Sequence, residues 1–461
     1  MVSRLGLLIT NAFRRIAPDP FVIAILLTAL TLLLAKVRTD SSWNDLVGWW
    51  SGSTGVWGLL SFGMQMCLIL VTGHALASSP PVSALLDRLA GLPRNGVQAV
   101  MLAATVAGTL SILNWGLGLI GGALIARRIG LGLERRGRSV HYPLLVAAGY
   151  VGLMMWHGGF SGTAPLKVTK ATDLQELMGA GTAVEVIPIN ETILSPMNLV
   201  ITGGLLILAP LFLALLAPRE THQVELPSRY LGDITGDPAP EPEPAKPLVP
   251  RLLEDTPIVT LLLLALIAWW AFGYYFPATD GGPSGILSLD PNTVNLTMLM
   301  LGLAMHGTPK RYVRAVDEAV RGCGGIILQF PLYAGIMGVM RESGLTAQLA
   351  DQLASTADET TLPILTFISA GVVNLFVPSG GGQWAIQGQI ALEAGAAAGV
   401  KPASMVMAVA YGDQLTNMLQ PFWALPILAI TGVKARDIVG YTAMLMLVAF
   451  VWITAMLLLM A

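Results

Sequence analysis

The sequence predicts an all-α integral membrane protein made of two inverted repeats, each holding a re-entrant hairpin and a broken helix. Three observations predict it: an apolar composition, a glycine- and asparagine-rich interruption in each half, and basic residues that orient the halves oppositely. Of 461 residues, 54% are hydrophobic and 12% charged, with a mean hydropathy of +0.68. A soluble domain carries about 25% charged residues, so most of this chain belongs in lipid. A net charge of −2 argues against a nucleic-acid partner. Cys67 and Cys323 lie in apolar segments and read as small hydrophobes, implying no disulfide or metal site. Arg4, Arg14 and Arg15 precede an apolar run without a small-residue cleavage site, which reads as a first span rather than a cleaved signal.

Candidate spans cover 21–35, 56–77, 143–156, 197–216, 258–276, 294–306, 324–340, 405–418 and 438–460. Two further apolar segments, 97–126 and 362–392, are interrupted by Asn114-Trp115-Gly116-Leu117-Gly118 and Asn374-Leu375-Phe376-Val377-Pro378-Ser379-Gly380-Gly381-Gly382. Non-helical backbone at membrane depth is tolerated where it is packed in protein or lines a wet cavity, and a matched pair of such breaks points to a transporter's binding site. The spans 143–156 and 405–418 run into His157-Gly158-Gly159-Phe160-Ser161-Gly162-Thr163 and Thr416-Asn417-Met418-Leu419-Gln420-Pro421, so each half also has a broken helix.

Lys and Arg mark the cytoplasmic side. Arg88 and Arg94 precede the first hairpin; Arg127, Arg128, Arg135, Arg136 and Arg138 follow it, so it enters and leaves on that face. Lys310, Arg311, Arg314 and Arg321 put the cytoplasm before 324–340. Residues 343–361 carry three acids and no Lys or Arg, so the second hairpin enters from outside. Each half then reads as two spans, a hairpin, a broken span and a closing span. The domains are 1–217, a linker 218–257, a connecting helix 258–276 that inverts the second half, and 277–461. The N-terminus is inside and the C-terminus outside. Gln65, Asp87, Asn114 and Tyr150 have counterparts in Gln329, Asp351, Asn374 and Tyr411 at nearly constant offset. The linker holds nine prolines among mixed charges and reads as extended and poorly ordered.

Helix N-termini at such breaks present N–H groups to a carboxylate, and unwound carbonyls suit sodium. Ser, Thr and Asn add hydroxyl and amide contacts. The candidates are Asn114, Trp115, Gly116, Gly118, Ser161, Gly162, Thr163, Asn374, Ser379, Gly380, Gly381, Gly382, Gln383 and Asn417, against the alternative of packing glycines and internally satisfied polar residues. None carries a formal charge, which suits a small monovalent anion better than a phosphate or dicarboxylate. Intramembrane ionisable groups are candidates for ion coupling: His74 near the inner end of the second span, His157 at the first break, and Asp413 a turn from Asn417. Sodium near Asn114, Asn374 and Asp413 is the alternative to a proton. His306 reads as interfacial. Trp115, Trp384 and Trp423 flank the polar clusters and either wall a pocket for a short alkyl chain or pack the core. No nucleophile elbow, Cys/His metal spacing or Walker loop is present, so the chain reads as neither an enzyme nor ATP-driven, and no cofactor beyond a coupling H⁺ or Na⁺ is expected.

Phe62-Gly63-Met64-Gln65-Met66 with Val71-Thr72-Gly73-His74-Ala75-Leu76-Ala77-Ser78-Ser79 resembles the bacterial short-chain fatty acid transporter family, associated with acetoacetate or butyrate uptake. Asn114-Trp115-Gly116, Gly158-Gly159-Phe160-Ser161-Gly162, Val377-Pro378-Ser379-Gly380-Gly381-Gly382 and Gln420-Pro421-Phe422-Trp423-Ala424-Leu425-Pro426 extend the likeness, which runs from Pro18-Asp19-Pro20 nearly to the C-terminus. Grouped with the ion-transporter superfamily, the resemblance implies an elevator: a scaffold domain, a mobile transport domain carrying both hairpins, and a homodimer in the bacterial inner membrane. It would place substrate contacts at Asn114, Ser161, Ser379 and Asn417, and at Trp156-His157 it departs from relatives that carry a further glycine. The expected activity is monocarboxylate transport coupled to H⁺ or Na⁺. A dicarboxylate or inorganic-anion symporter and an anion channel are the rivals.

Overall fold

The computed structural model describes residues 20–58, 60–169, 171, 174, 185–218, 224–231, 247–276, 291–345, 348, 357–375 and 380–460. Among them every regular element is helical: α1 Pro20–Arg38, α2 Trp43–Ser51, α3 Leu60–Ser78, α4 Pro80–Gly91, α5 Gly96–Leu113, α6 Trp115–Arg135, α7 Tyr142–Tyr150, α8 Thr163–Lys167, α9 Pro196–Leu215, α10 Ser228–Leu231, α11 Leu248–Glu254, α12 Ile258–Tyr275, α13 Pro291–His306, α14 Pro309–Val320, α15 Gly324–Glu342, α16 Leu362–Asn374, α17 Gly380–Ala398, α18 Pro402–Thr416, α19 Pro421–Thr431 and α20 Ala435–Met460. Among the described residues five helices are long and apolar enough to cross a membrane, or up to eight if each bent pair is one span. Exposed apolar side chains on α12, among them Leu262, Leu266, Trp269 and Phe272, form the face a bilayer would cover.

Both interrupted segments fold as helical hairpins. In the first, α5 and α6 run antiparallel: β-carbons added at Gly118 and Gly122 would fall 1.8 Å from Ser111 Oγ and 2.9 Å from Ala107 Cβ. Its arms are each long and apolar enough to cross a bilayer, longer than the 97–126 segment suggests. In the second, Gln383 Nε2 donates to Ala370 O (2.8 Å) and Gln387 Nε2 to Ser369 Oγ (3.1 Å), which closes α17 onto α16. Its tip, 376–379, with Ser379, lies outside the described residues.

Each hairpin's first arm crosses its half's broken helix without a side chain between them. In the first half a β-carbon on Gly152, just past α7, would lie 2.6 Å from Ala107 O of α5. In the second half a β-carbon on Gly412 would lie 2.2 Å from Phe367 O. One apolar core runs through both halves, joining Ala103, Val146, Ile201, Phe367, Tyr411 and Leu445.

Several elements differ from the sequence expectation. Helices α2, α4, α14 and α19 were not among the expected spans; α14 is strongly amphipathic, and α19 carries Pro426 in its interior. Thr308 caps α14, and Lys310 pairs with Asp255 at 3.5 Å. The linker is not extended throughout: residues 224–231 dock on the bundle, with Tyr142 N–H donating to Glu225 O and Ser228 Oγ to Glu134 Oε1. His306 is buried, its Nε2 donating to Ala75 O (2.7 Å) to tie α13 to α3. Cys67 and Cys323 are free and buried in the core.

Candidate functional site

At the first hairpin tip a single residue ends one helix and starts the next. Asn114 is extended (φ −159°, ψ 128°); its N–H donates to Leu110 O, and its Oδ1 accepts from Leu117 N–H at 3.0 Å. Ser161 Oγ accepts from the next N–H, Trp115 (2.9 Å), and Phe160 N–H donates to Ile112 O. Ser161 thus fastens the first break to the hairpin tip, and Gly116, the second residue of α6, is buried.

Beyond Tyr150 the backbone tightens into 3₁₀ turns, Val151–Met154 and Trp156–Gly158, then bends by 40° overall into α8. A tightened break leaves backbone groups without helical partners. Here other helices supply them: Gln414 Oε1 accepts from His157 N–H (3.1 Å), and Asn198 Nδ2 donates to Gly158 O (2.8 Å). Asn198, in the first turn of α9, also accepts at Oδ1 from Tyr411 and Thr202. The His157 ring is 1% exposed and stacks on Trp156 with centroids 3.7 Å apart. Its Nδ1 lies 3.1 Å from Ala410 O and 3.6 Å from Asp413 Oδ1. A carbonyl only accepts, so Nδ1 carries a proton. Nε2, without a partner among the described residues, points at the start of α17: a β-carbon on Gly380 would lie 2.8 Å from it and from Trp156 Cη2. Gly381 stands open, 3.8 Å from Thr163 Cγ2 in the same sense, and Gly162 packs on His157 O.

The second break is bound more completely. Asn374 Nδ2 lies within hydrogen-bond reach of Asp413 O (2.8 Å), Thr416 Oγ1 (2.9 Å) and Asn417 Oδ1 (3.0 Å). Gln420 Nε2 donates to Asn374 O, and Tyr150 OH donates from the first half to Asn417 O at 2.7 Å. Asn417 Nδ2 donates to Leu153 O at 3.4 Å. Among the described residues two oxygens here are buried without partners, Asn374 Oδ1 and Asp413 Oδ2; Asp413 itself is 2% exposed.

The structure therefore brings the first break, the start of α17, Asp413 and the Asn374–Asn417 knot into one contiguous cluster. Gln383 and Gly382 belong to hairpin 2, the Gln383 amide nitrogen being spent on its closure. Half-buried His74 shares no hydrogen bond with the cluster; its neighbour Gly73 packs on Ile120. Trp115 meets Trp423 and Trp156 edge to face at 5.2 and 6.2 Å. Trp384 instead packs in a second core with Ala164 and Leu362. Sequence reasoning missed Trp156, Asn198 and Gln414. Asn198 and Thr202, four apart in an apolar span, were the readable sign of a buried polar pair. Among the described residues no three His, Cys, Asp or Glu gather as a metal site.

The model of the family described as "Short chain fatty acid transporter" matches residues 1–460. A chain of Escherichia coli (strain K12) is 40% identical over 443 residues, 96% of each chain, and one of Haemophilus influenzae is 36% identical over 448 residues at the same coverage; both are named for short-chain fatty acid transport. Among solved structures, the Alcanivorax borkumensis YdaH transporter superposes with a TM-score of 0.49 at 18% identity, covering 96% of this chain and 97% of that one.

Proposed function

Because the chain belongs to the short-chain fatty acid transporter family, a family of membrane transporters rather than enzymes, we propose that it is a secondary active carrier of short-chain monocarboxylates such as butyrate or acetoacetate. The observation that supports this most is the junction of the first break with the start of α17, where the atoms nearest Gly380 belong to the His157 and Trp156 rings and to no Lys or Arg among the described residues. Helix-end N–H groups and neutral polar side chains attract one negative charge without the fixed cations a dicarboxylate or phosphate would want. The edge-to-face aromatics Trp115, Trp156 and Trp423 offer apolar wall for a short tail. In this reading the substrate sits among the hairpin tips, Asn114 to Gly116 and Ser379 to Gly381, and the breaks, Ser161 to Thr163 and Asn417.

The register of the two halves supports an inverted repeat. Asn114 and Asn374 are 260 residues apart, as are Ser111 and Gly371, Gly152 and Gly412, and His157 and Asn417. The close pairs match as well: Gly152 packs on Ser111, and Gly371 approaches Gly412 O. Such symmetry about a midplane site permits alternating access. The proposed arrangement is an elevator homodimer in the inner membrane, hairpins re-entrant, N-terminus inside and C-terminus outside. A sodium-coupled version is favoured by one observation, the unpartnered oxygens Asn374 Oδ1 and Asp413 Oδ2.

The test is uptake of labelled butyrate into proteoliposomes under an imposed pH gradient and, separately, a sodium gradient, each with and without dissipation. Accumulation under one gradient is expected and names the ion. No uptake above protein-free vesicles under either would overturn the monocarboxylate reading.

A further inference from the structure

Three features meet at the His157 ring, and together they constrain what can bind there. Nδ1–H is committed to Ala410 O. Neutral imidazole has one N–H, so Nε2 then presents only a lone pair. That lone pair, buried and unpartnered, faces the first residues of α17, a 19-residue helix whose opening N–H groups attract anions. A carboxylate brought to the same place also presents only lone pairs, and the two would repel. A proton on Nε2 changes the sign of the contact: the imidazolium donates to the carboxylate while Asp413 Oδ1, 3.6 Å from Nδ1, balances the ring from behind.

We propose that His157 Nε2 and the opening N–H groups of α17 at Gly380 and Gly381 form the substrate's carboxylate seat, and that this seat fills only together with a proton. The proposal rests on the monocarboxylate reading above and adds its coupling ion, stoichiometry and principal contact. The balance is one RCOO⁻ and one H⁺ entering a neutral His157 to give an imidazolium–carboxylate pair. Release reverses it. The cargo carries no net charge, so transport responds to a pH gradient and not to membrane potential.

The titratable groups around the ring are few. Asp413 of α18 faces it directly. Tyr411 gives its hydroxyl to Asn198 and Tyr150 gives its own to Asn417 O. The first three turns of α17 carry no charge; its one acid, Glu393, bonds Gln389 beyond them. Among the described residues no Lys or Arg is paired with Asp413. His157 is therefore the group through which a carboxylate and a proton can be bound at one atom, and Asp413 is a positioning residue.

Proton uptake on adding butyrate to the purified full-length protein, in weakly buffered detergent with a pH dye, counts protons directly. Wild type is expected to take up one proton per butyrate bound and to accumulate butyrate in vesicles under a pH gradient, with no added accumulation from a potassium–valinomycin potential. His157→Gln supplies a polar amide in place of the imidazole but cannot titrate; it is expected to bind butyrate at least tenfold more weakly, without proton uptake, and to lose gradient-driven accumulation. Gly380→Ala places a methyl in the seat while keeping the titratable ring. It is expected to raise the half-saturation constant at least tenfold with the proton count still one, and it decides the matter if His157→Gln does not fold. Undiminished proton uptake and accumulation in His157→Gln, unchanged kinetics in Gly380→Ala, or wild-type uptake driven by sodium alone each overturns the proposal while leaving the monocarboxylate reading standing. Failure of wild type to bind butyrate overturns both.

Discussion

The two helix breaks occupy matching registers and are built to opposite ends. At the second, Asn417 and Asn374 have nearly every amide hydrogen engaged with a neighbouring backbone or side-chain oxygen. At the first, the residue in Asn417's register is His157, whose ring keeps one nitrogen unpartnered beside the start of α17. Buried polar groups left unpaired are costly and uncommon, whereas satisfied networks rigidify. The second break also leaves two oxygens unpaired among the described residues, Asn374 Oδ1 and Asp413 Oδ2, but inside a hydrogen-bonded knot, whereas the first leaves a ring nitrogen at the start of α17. That difference in place assigns the first break to meeting an anion and the second to holding the crossing.

The largest effects should come from what the halves share, the glycine crossings. Gly152→Val and Gly412→Val each drive a branched side chain into a backbone carbonyl, Ala107 O and Phe367 O, 2.6 and 2.2 Å from where the first added carbon would sit. Overpacking costs about 1–3 kcal/mol even where side chains can yield, and backbone yields less. Both variants should lose the monodisperse peak in size-exclusion chromatography. A normal peak for only one would break the equivalence of the crossings.

The knot and the tip should then separate. Asn374→Ala orphans buried acceptors on α18 and should cost about 1–2 kcal/mol, read as a lower melting temperature in detergent. Asn114→Ala removes one cap, about 1 kcal/mol, and should weaken butyrate transport more than it lowers melting. Equal losses of transport per degree in both variants would erase the distinction between a holding break and a binding one.

Smaller still is the effect on selectivity. Trp115→Ala opens the aromatic wall and should raise the hexanoate-to-butyrate uptake ratio about tenfold, since a methylene in a pocket is worth about 1–3 kcal/mol. Trp384→Ala, in the separate core, should lower melting and leave that ratio alone.

Much of this was legible in the sequence because the interruptions are local. Asn114 and the Pro378–Gly382 glycines stand out against apolar neighbours wherever the chain goes, and a cap with nowhere to go but a hairpin follows from them. His157 and Asp413 drew attention because ionisable groups are rare in apolar segments. What was not legible depends on long-range packing. A polar residue satisfied by a partner helix and one facing a ligand have the same sequence, so Ser161 and Asn417 read as substrate contacts, and only the fold adds that each also makes a backbone bond. The three tryptophans looked alike, and only packing removes Trp384 from the group and adds Trp156. Helices α14 and α19 were hidden because charge on one and an internal proline in the other break the apolar pattern that marks a span.

The central claim, that the substrate sits where the first break meets α17, is tested most directly at Gly381. A β-carbon there makes only an ordinary contact, 3.8 Å from Thr163 Cγ2, and the native cysteines are buried, so Gly381→Cys offers a single thiol for alkylation beside the proposed seat. The account predicts that butyrate slows its alkylation severalfold at concentrations near the transport half-saturation constant. Alkylation unchanged by saturating butyrate, in a variant that still transports it, would contradict that placement.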